Sequence, residues 1–194
     1  MARKKTFRLT LQYNSPVILT FSLLCAGVLG LEWLMGDMYT CLLFSVYPAS
    51  LTDPLTYPRM VLHVLGHADW THFLSNITLL LVIGPPLEEH YGSRRLLWCI
   101  AITALISGLI HFVFAPADTA LLGASGIVFM LILLSSLSGT SGGIPLTLLV
   151  VGVIYLGDEV YTALTRQDSI SQLTHIVGGV CGAVLGFAMR SKKF

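Results

Sequence analysis

Six long apolar runs alternate with short polar or proline-rich breaks along this chain. The first covers about 17–35, carries Glu32 as its only charge and follows Asn14-Ser15-Pro16, a helix-start signal. Residues 36–62 break the pattern, because Pro48, Pro54 and Pro58 stand among scattered tyrosines and acids. Such a stretch suits a structured loop that dips into a membrane interface, where Tyr is favoured. The second run, about 70–84, is closed by Pro85-Pro86; the others cover about 96–114, 121–137, 144–164 and 173–189. Most of these lengths suit a hydrocarbon core about 30 Å thick. The pattern predicts an all-α membrane protein, a bundle of six transmembrane helices with an interfacial first loop.

Composition agrees: 55% of the 194 residues are hydrophobic and 11% charged, against about 25% charged in soluble domains. A basic segment before an apolar run also fits a signal peptide. This run is long for one, and no small-x-small cleavage site follows, so it reads as a retained first span. Six spans put both termini on one side, and Lys/Arg then divide sharply. The N-terminal segment, Arg94 and Arg95, and the C-terminal end share nine of the eleven; Arg59 and Arg166 lie opposite. The positive-inside rule makes the termini cytoplasmic. The expected organisation is a basic cytoplasmic N-terminus (1–15), a six-span core (16–190) and a short tail (191–194). No basic cluster with interleaved aromatics supports nucleic-acid binding. The four cysteines form no CxxC or zinc spacing. His63 and His67 are spaced i, i+4 but lack an HExxH signature, so no metal or cofactor is expected and His67 reads as a brace near His72. Gly157-Asp158 lacks the first glycine of a GxGD motif.

With this topology, spans two, four and six all start in the outer leaflet. Each carries a polar intrusion near its start: His72 and Asn76, then Ser125, then His175. At 1.5 Å per residue each lies within roughly 10 Å of its span's outer end. Polar groups there are costly and by default mark function or interhelical contact. Ser125 needs a base to become a nucleophile, and His175 can serve if spans four and six touch. Gly178, Gly182 and Gly186 repeat every four residues on the His175 face and permit close approach, as Gly123 and Gly126 do beside the serine. His72 and Asn76 share one face of span two and can both donate to an oxyanion.

These residues resemble the rhomboid family of intramembrane serine proteases. The likeness covers about 58–189: His67, His72 and Asn76 fit HxxxxHxxxN, Glu88 and Gly92 fit a turn motif, Gly123-Ala124-Ser125-Gly126 fits GxSG, and His175, Gly178 and Gly182 fit HxxGxxxG. The resemblance implies a Ser125–His175 dyad without an aspartate. It also implies an oxyanion hole of His72, Asn76 and the Ser125 N–H, with Phe129 able to pack on the histidine ring. Activity would then fall at low pH, as the base protonates. It implies cleavage of single-span membrane proteins near the outer face, through an acyl-enzyme, by an enzyme of the bacterial cell membrane whose site opens outward. Two departures bear on packing. Pro58-Arg59 replaces a Trp-Arg in the first loop, and Met130 stands where a small residue is usual between spans four and six. The competing class is a rhomboid-like protein that binds membrane clients without cutting them; such relatives would lose Ser or His, and this chain keeps both. A transporter would need polarity through the whole bilayer, whereas here it stops in the outer half.

Overall fold

The computed structural model describes residues 12–138, 143–165 and 169–189. The basic segment 1–11, residues 139–142, Arg166 and the C-terminal tail lie outside these, as do the side chains of Asp158 and Glu159. Among the described residues eight α-helices follow in order: α1 (Pro16–Met35), α2 (Asp37–Leu43), α3 (Thr56–Leu62), α4 (Trp70–Tyr91), α5 (Ser93–Phe114), α6 (Ser125–Ser135), α7 (Leu146–Thr165) and α8 (Ser169–Met189). A 3-10 turn, His63–Leu65, follows α3. Among the described residues, four helices are long and apolar enough to cross a bilayer: α1, α4, α5 and the Gln172–Met189 part of α8. Two shorter apolar stretches, Ser125–Ser135 and Leu146–Tyr155, accompany them. The protein is an all-α membrane bundle.

Buried α6 is the axis of the bundle, with Ile127, Met130, Leu131 and Leu134 all fully enclosed. The glycines of α8 explain how closely that helix approaches. A Cβ at Gly178 would run into the backbone carbonyl of Gly126, and one at Gly182 into that of Met130. Met130 turns its side chain into the core, so its bulk does not hold the two helices apart.

Helix α4 corrects one expected boundary. Pro85-Pro86 in sequence marks the close of the second run, yet the helix continues through both prolines to Tyr91. Each proline removes one N–H, leaving the carbonyls of Leu81 and Val82 without their i+4 donors. Tertiary contacts offset this loss. Buried Glu88, one turn on, accepts the N–H groups of Val17 and Ile18 at 3.0 Å each and the Ser93 hydroxyl at 2.6 Å. Pro16 starts α1, where its missing N–H costs nothing, and Glu88 satisfies the next two donors of that orphan turn. Glu88→Ala is therefore expected to lower stability by roughly 3 kcal/mol, because charge-assisted bonds are lost and the donors stay buried. Thermal unfolding in detergent measures this, and an unchanged midpoint would refute the clamp.

No helix of spanning length lies in 36–62. Arg59, 2% exposed, anchors that loop despite the Pro58-Arg59 departure. Its Nε donates to the Leu42 carbonyl at 2.6 Å and its Nη1 to Asp53 at 2.8 Å, while the guanidinium lies 4.7 Å over the Tyr47 ring. The Leu55 N–H, and then Arg59, hold the Asp53 carboxyl below the usual range. Thr40 donates to Glu32 at 2.8 Å, which closes α2 onto α1.

Candidate active site

Helix α6 starts later than the apolar run that contains it. The run begins near Leu121, but Gly123 takes φ +121°, a value L side chains rarely adopt. The preceding segment is pinned to the first loop. Val46 and Leu121 exchange both N–H···O bonds at 2.9 Å, and the Gly123 N–H donates to the His63 carbonyl at 2.9 Å. The helix therefore opens at Ser125 itself. That leaves the Ser125 N–H among the first-turn donors, which have no intrahelical partner.

Three of the sequence candidates meet on the α6–α8 side. His175 Nε2 lies 2.7 Å from Ser125 Oγ, and the Phe129 ring stacks on the imidazole at 4.6 Å and 6°. On the α4 side, Asp69 caps the helix by accepting the His72 N–H at 2.7 Å. Asn76 Nδ2 donates to the His72 carbonyl at 3.0 Å, leaving its second amide hydrogen uncommitted in that bond. The Ala68 N–H points at His72 Nδ1 from 3.5 Å. This pattern assigns the ring proton to Nε2. Nε2 lies beside Gly123: a Cβ there would come 2.7 Å from His72 Cε1 and Nε2 and 3.9 Å from Asn76 Nδ2. Gly123 thus supplies both the backbone twist and the space that let His72 and Asn76 approach the turn preceding Ser125. His67 is fully buried and braces His72 edge-to-face at 5.2 Å. Glu88 and Gly92 stand apart, at the opposite end of α4.

The serine also borders a small enclosed space of about 10 Å³, lined by His63, Ser107 and Thr174 among others. That is about the room one water probe needs, and polar side chains share its wall with Val64, Leu121 and Ile127. The sequence spacing presents His63 only as half of an i, i+4 histidine pair, and Ser107 lies unmarked within an apolar run. A signal was present: Thr103, Ser107 and His111 recur every four residues on α5, and all three are buried. Among the described residues, no group of three or more His, Cys, Asp or Glu side chains could hold a metal ion.

Burial lowers the imidazoles of His63 and His67, both outside the spanning helices, to about 4. An unfolded loop would titrate near 6.5. Between those values the unfolded state binds more protons, so stability is complete above pH 6.5 and falls as the pH drops towards 4. For a group as buried as His63 the loss is of order 3 kcal/mol. Thermal midpoints should decline across that window, and less steeply in His63→Gln; parallel profiles would refute the assignment.

The rhomboid domain family model matches residues 54–192, which covers the first-loop anchor, the serine turn and the histidine helix. The chain belongs to the rhomboid family. It is therefore an integral membrane protein of a family of intramembrane proteases. It is similar to the rhomboid protease GlpG of Yersinia pestis (strain Pestoides F), at 25% identity over 177 residues, 89% of this chain and 62% of that one. GlpG of Yersinia pseudotuberculosis (serotype O:3, strain YPIII) matches to the same extent. YdcA of Bacillus subtilis (strain 168) is 27% identical over 146 residues, 70% of this chain and 68% of that protein. The chain thus spans less than two thirds of the length of its GlpG relatives.

Proposed function

We propose that this rhomboid is a serine endopeptidase that cleaves single-span membrane proteins within the bilayer, with Ser125 as nucleophile and His175 as general base. The observation that carries the reading is the 2.7 Å contact between Ser125 Oγ and His175 Nε2. At that distance the hydroxyl can pass its proton to the imidazole as Oγ bonds the scissile carbonyl carbon. The same proton goes to the departing amine when the C–N bond breaks, which leaves an acyl group on Ser125. Phe129 holds the ring plane throughout. The tetrahedral oxyanion would be met by the Ser125 N–H, His72 Nε2–H and the uncommitted Asn76 amide hydrogen. The small cavity beside Ser125, with His63, Ser107 and Thr174 in its wall, suits the water that hydrolyses the ester.

The same reading includes a six-span core over 16–190, with α6 and α7 as the fourth and fifth spans. The basic segment 1–15 and tail 191–194 would lie in the cytoplasm, and the site would open to the outer side of a bacterial cell membrane. Ser125 opens α6, and His72 and Asn76 lie in the first two turns of α4. These positions agree with one shared depth.

The test treats the purified full chain in detergent with a serine-directed fluorophosphonate and maps the adduct by peptide mass. Covalent labelling confined to the peptide containing Ser125 is expected. A folded protein that stays unlabelled, and leaves a panel of single-span substrates intact, would refute the protease.

A further inference from the structure

Phe129 is the ring that stacks on His175, yet its own rotamer does not fix its plane. The terminal torsion of a phenylalanine is broad, so a ring held within 6° of the imidazole plane needs a second contact. Tyr155 of α7 provides one: its ring meets Phe129 in a T-shaped contact at 6.0 Å and 85°. Phe129 follows Ser125 by four residues and shares its face of α6. The imidazole and the tyrosine therefore reach it from two different helices, α8 and α7.

The register between α6 and α7 brings Tyr155 there. Leu148 packs in one apolar cluster with Leu133 and Leu137. A Cβ at Gly152 would lie 3.9 Å from the Leu133 side chain, and Tyr155 then meets Phe129. Each step is about one turn forward on α7 and one turn back on α6. The two helices thus lie antiparallel, and α7 delivers its ring one turn from Ser125. Tyr155 is 41% exposed and lies outside the buried clusters, so its ring is not what holds the bundle together.

We propose that Tyr155 is a positioning residue for the base. It keeps the Phe129 ring from turning, and Phe129 in turn keeps the imidazole aligned with Ser125 Oγ. A base on α8 is thereby set by α7 through a residue of α6. The contribution of Tyr155 is its ring, and the hydroxyl is dispensable. Alignment of this kind is what an effective proton transfer needs, since small misplacements of reacting groups are costly in rate. The role rests on the proposed Ser125–His175 dyad.

The experiment measures how fast a small serine-directed fluorophosphonate labels Ser125 in the purified full chain, alongside kcat and KM for a single-span substrate. The small probe needs an activated serine but not the surface that holds a transmembrane substrate. Tyr155→Leu should slow labelling and lower kcat about fivefold, the fold-change that the coupling of one aromatic pair converts to, with KM unchanged. Tyr155→Phe should restore both. In a Phe129→Leu background, itself slowed, Tyr155→Leu should cause no further loss, because a residue that acts through another is silent once that other is gone. Ile154→Ala, at a neighbouring exposed position on α7, is the control and should react as wild type does.

Equal labelling of Tyr155→Leu and wild type would overturn the positioning role and leave the dyad standing. A further loss in the Phe129→Leu background, or a change in KM alone, would overturn it in the same way. Thermal midpoints in detergent accompany each variant. A Tyr155→Leu protein unfolded at the assay temperature would overturn the role by showing that the ring holds the bundle. A folded wild type that is not labelled at all would overturn the dyad, and the positioning role with it.

Discussion

Ser125→Ala is expected to slow cleavage of a single-span substrate in proteoliposomes by roughly 10⁴-fold or more, and His175→Ala by a similar factor. In the proposed dyad the two side chains act as one unit, since the imidazole 2.7 Å from Oγ would have a catalytic purpose only while there is a proton to take. The double variant should therefore be no slower than either single one, as expected for groups whose effects are not additive. His72→Ala and Asn76→Ala should cost less, roughly 10²–10³-fold each, the usual worth of one oxyanion donor. Their losses should fall on kcat, because the charge they meet develops in the transition state. Thermal midpoints near wild type would show that the loss is chemical. Cleavage by Ser125→Ala within tenfold of wild type would refute the nucleophile.

Gly178→Val and Gly182→Val carry the second large expectation. Each added side chain would enter the backbone of α6, at Gly126 and Met130 respectively. Rotamer adjustment cannot relieve a contact with main chain, so α8 must move as a body. Overpacking usually costs about 1–3 kcal/mol where side chains can give way, and here more is expected, roughly 4 kcal/mol. The displacement would also separate His175, one turn from Gly178 and two from Gly182, from Ser125. Gly30→Ala is the matched control: nothing lies within 4 Å of its Cβ position, and alanine is the better helix former by about 1 kcal/mol. Variants at 178 or 182 that unfold at the wild-type temperature would show that these glycines are not what sets the helix separation.

Much of this was legible in the chain. The apolar runs located every long helix, since a bilayer tolerates few polar residues and so makes spans conspicuous. Ser125, His72, Asn76 and His175 stood out because each is a costly polar group in an apolar run, and four-residue glycine spacing marked the α8 face. What the pattern could not reveal was how backbone groups are satisfied between elements. Pro85-Pro86 reads as a stop until Glu88 is seen holding the start of α1, seventy residues earlier in sequence. Arg59 reads as an isolated charge until its bonds to Leu42 and Asp53 close the first loop.

By itself, then, the sequence determined the helical membrane architecture, the family and the set of polar groups available for chemistry, because hydrophobic period and motif spacing are local properties. Only the tertiary structure decided where α6 begins, that Ser125 heads it beside His175 and Phe129, that Gly123 opens the gap to His72 and Asn76, and that His63 and Ser107 wall the space beside the serine. Those outcomes depend on which backbones may touch, and that contact is a property of pairs of helices that no single run of residues encodes.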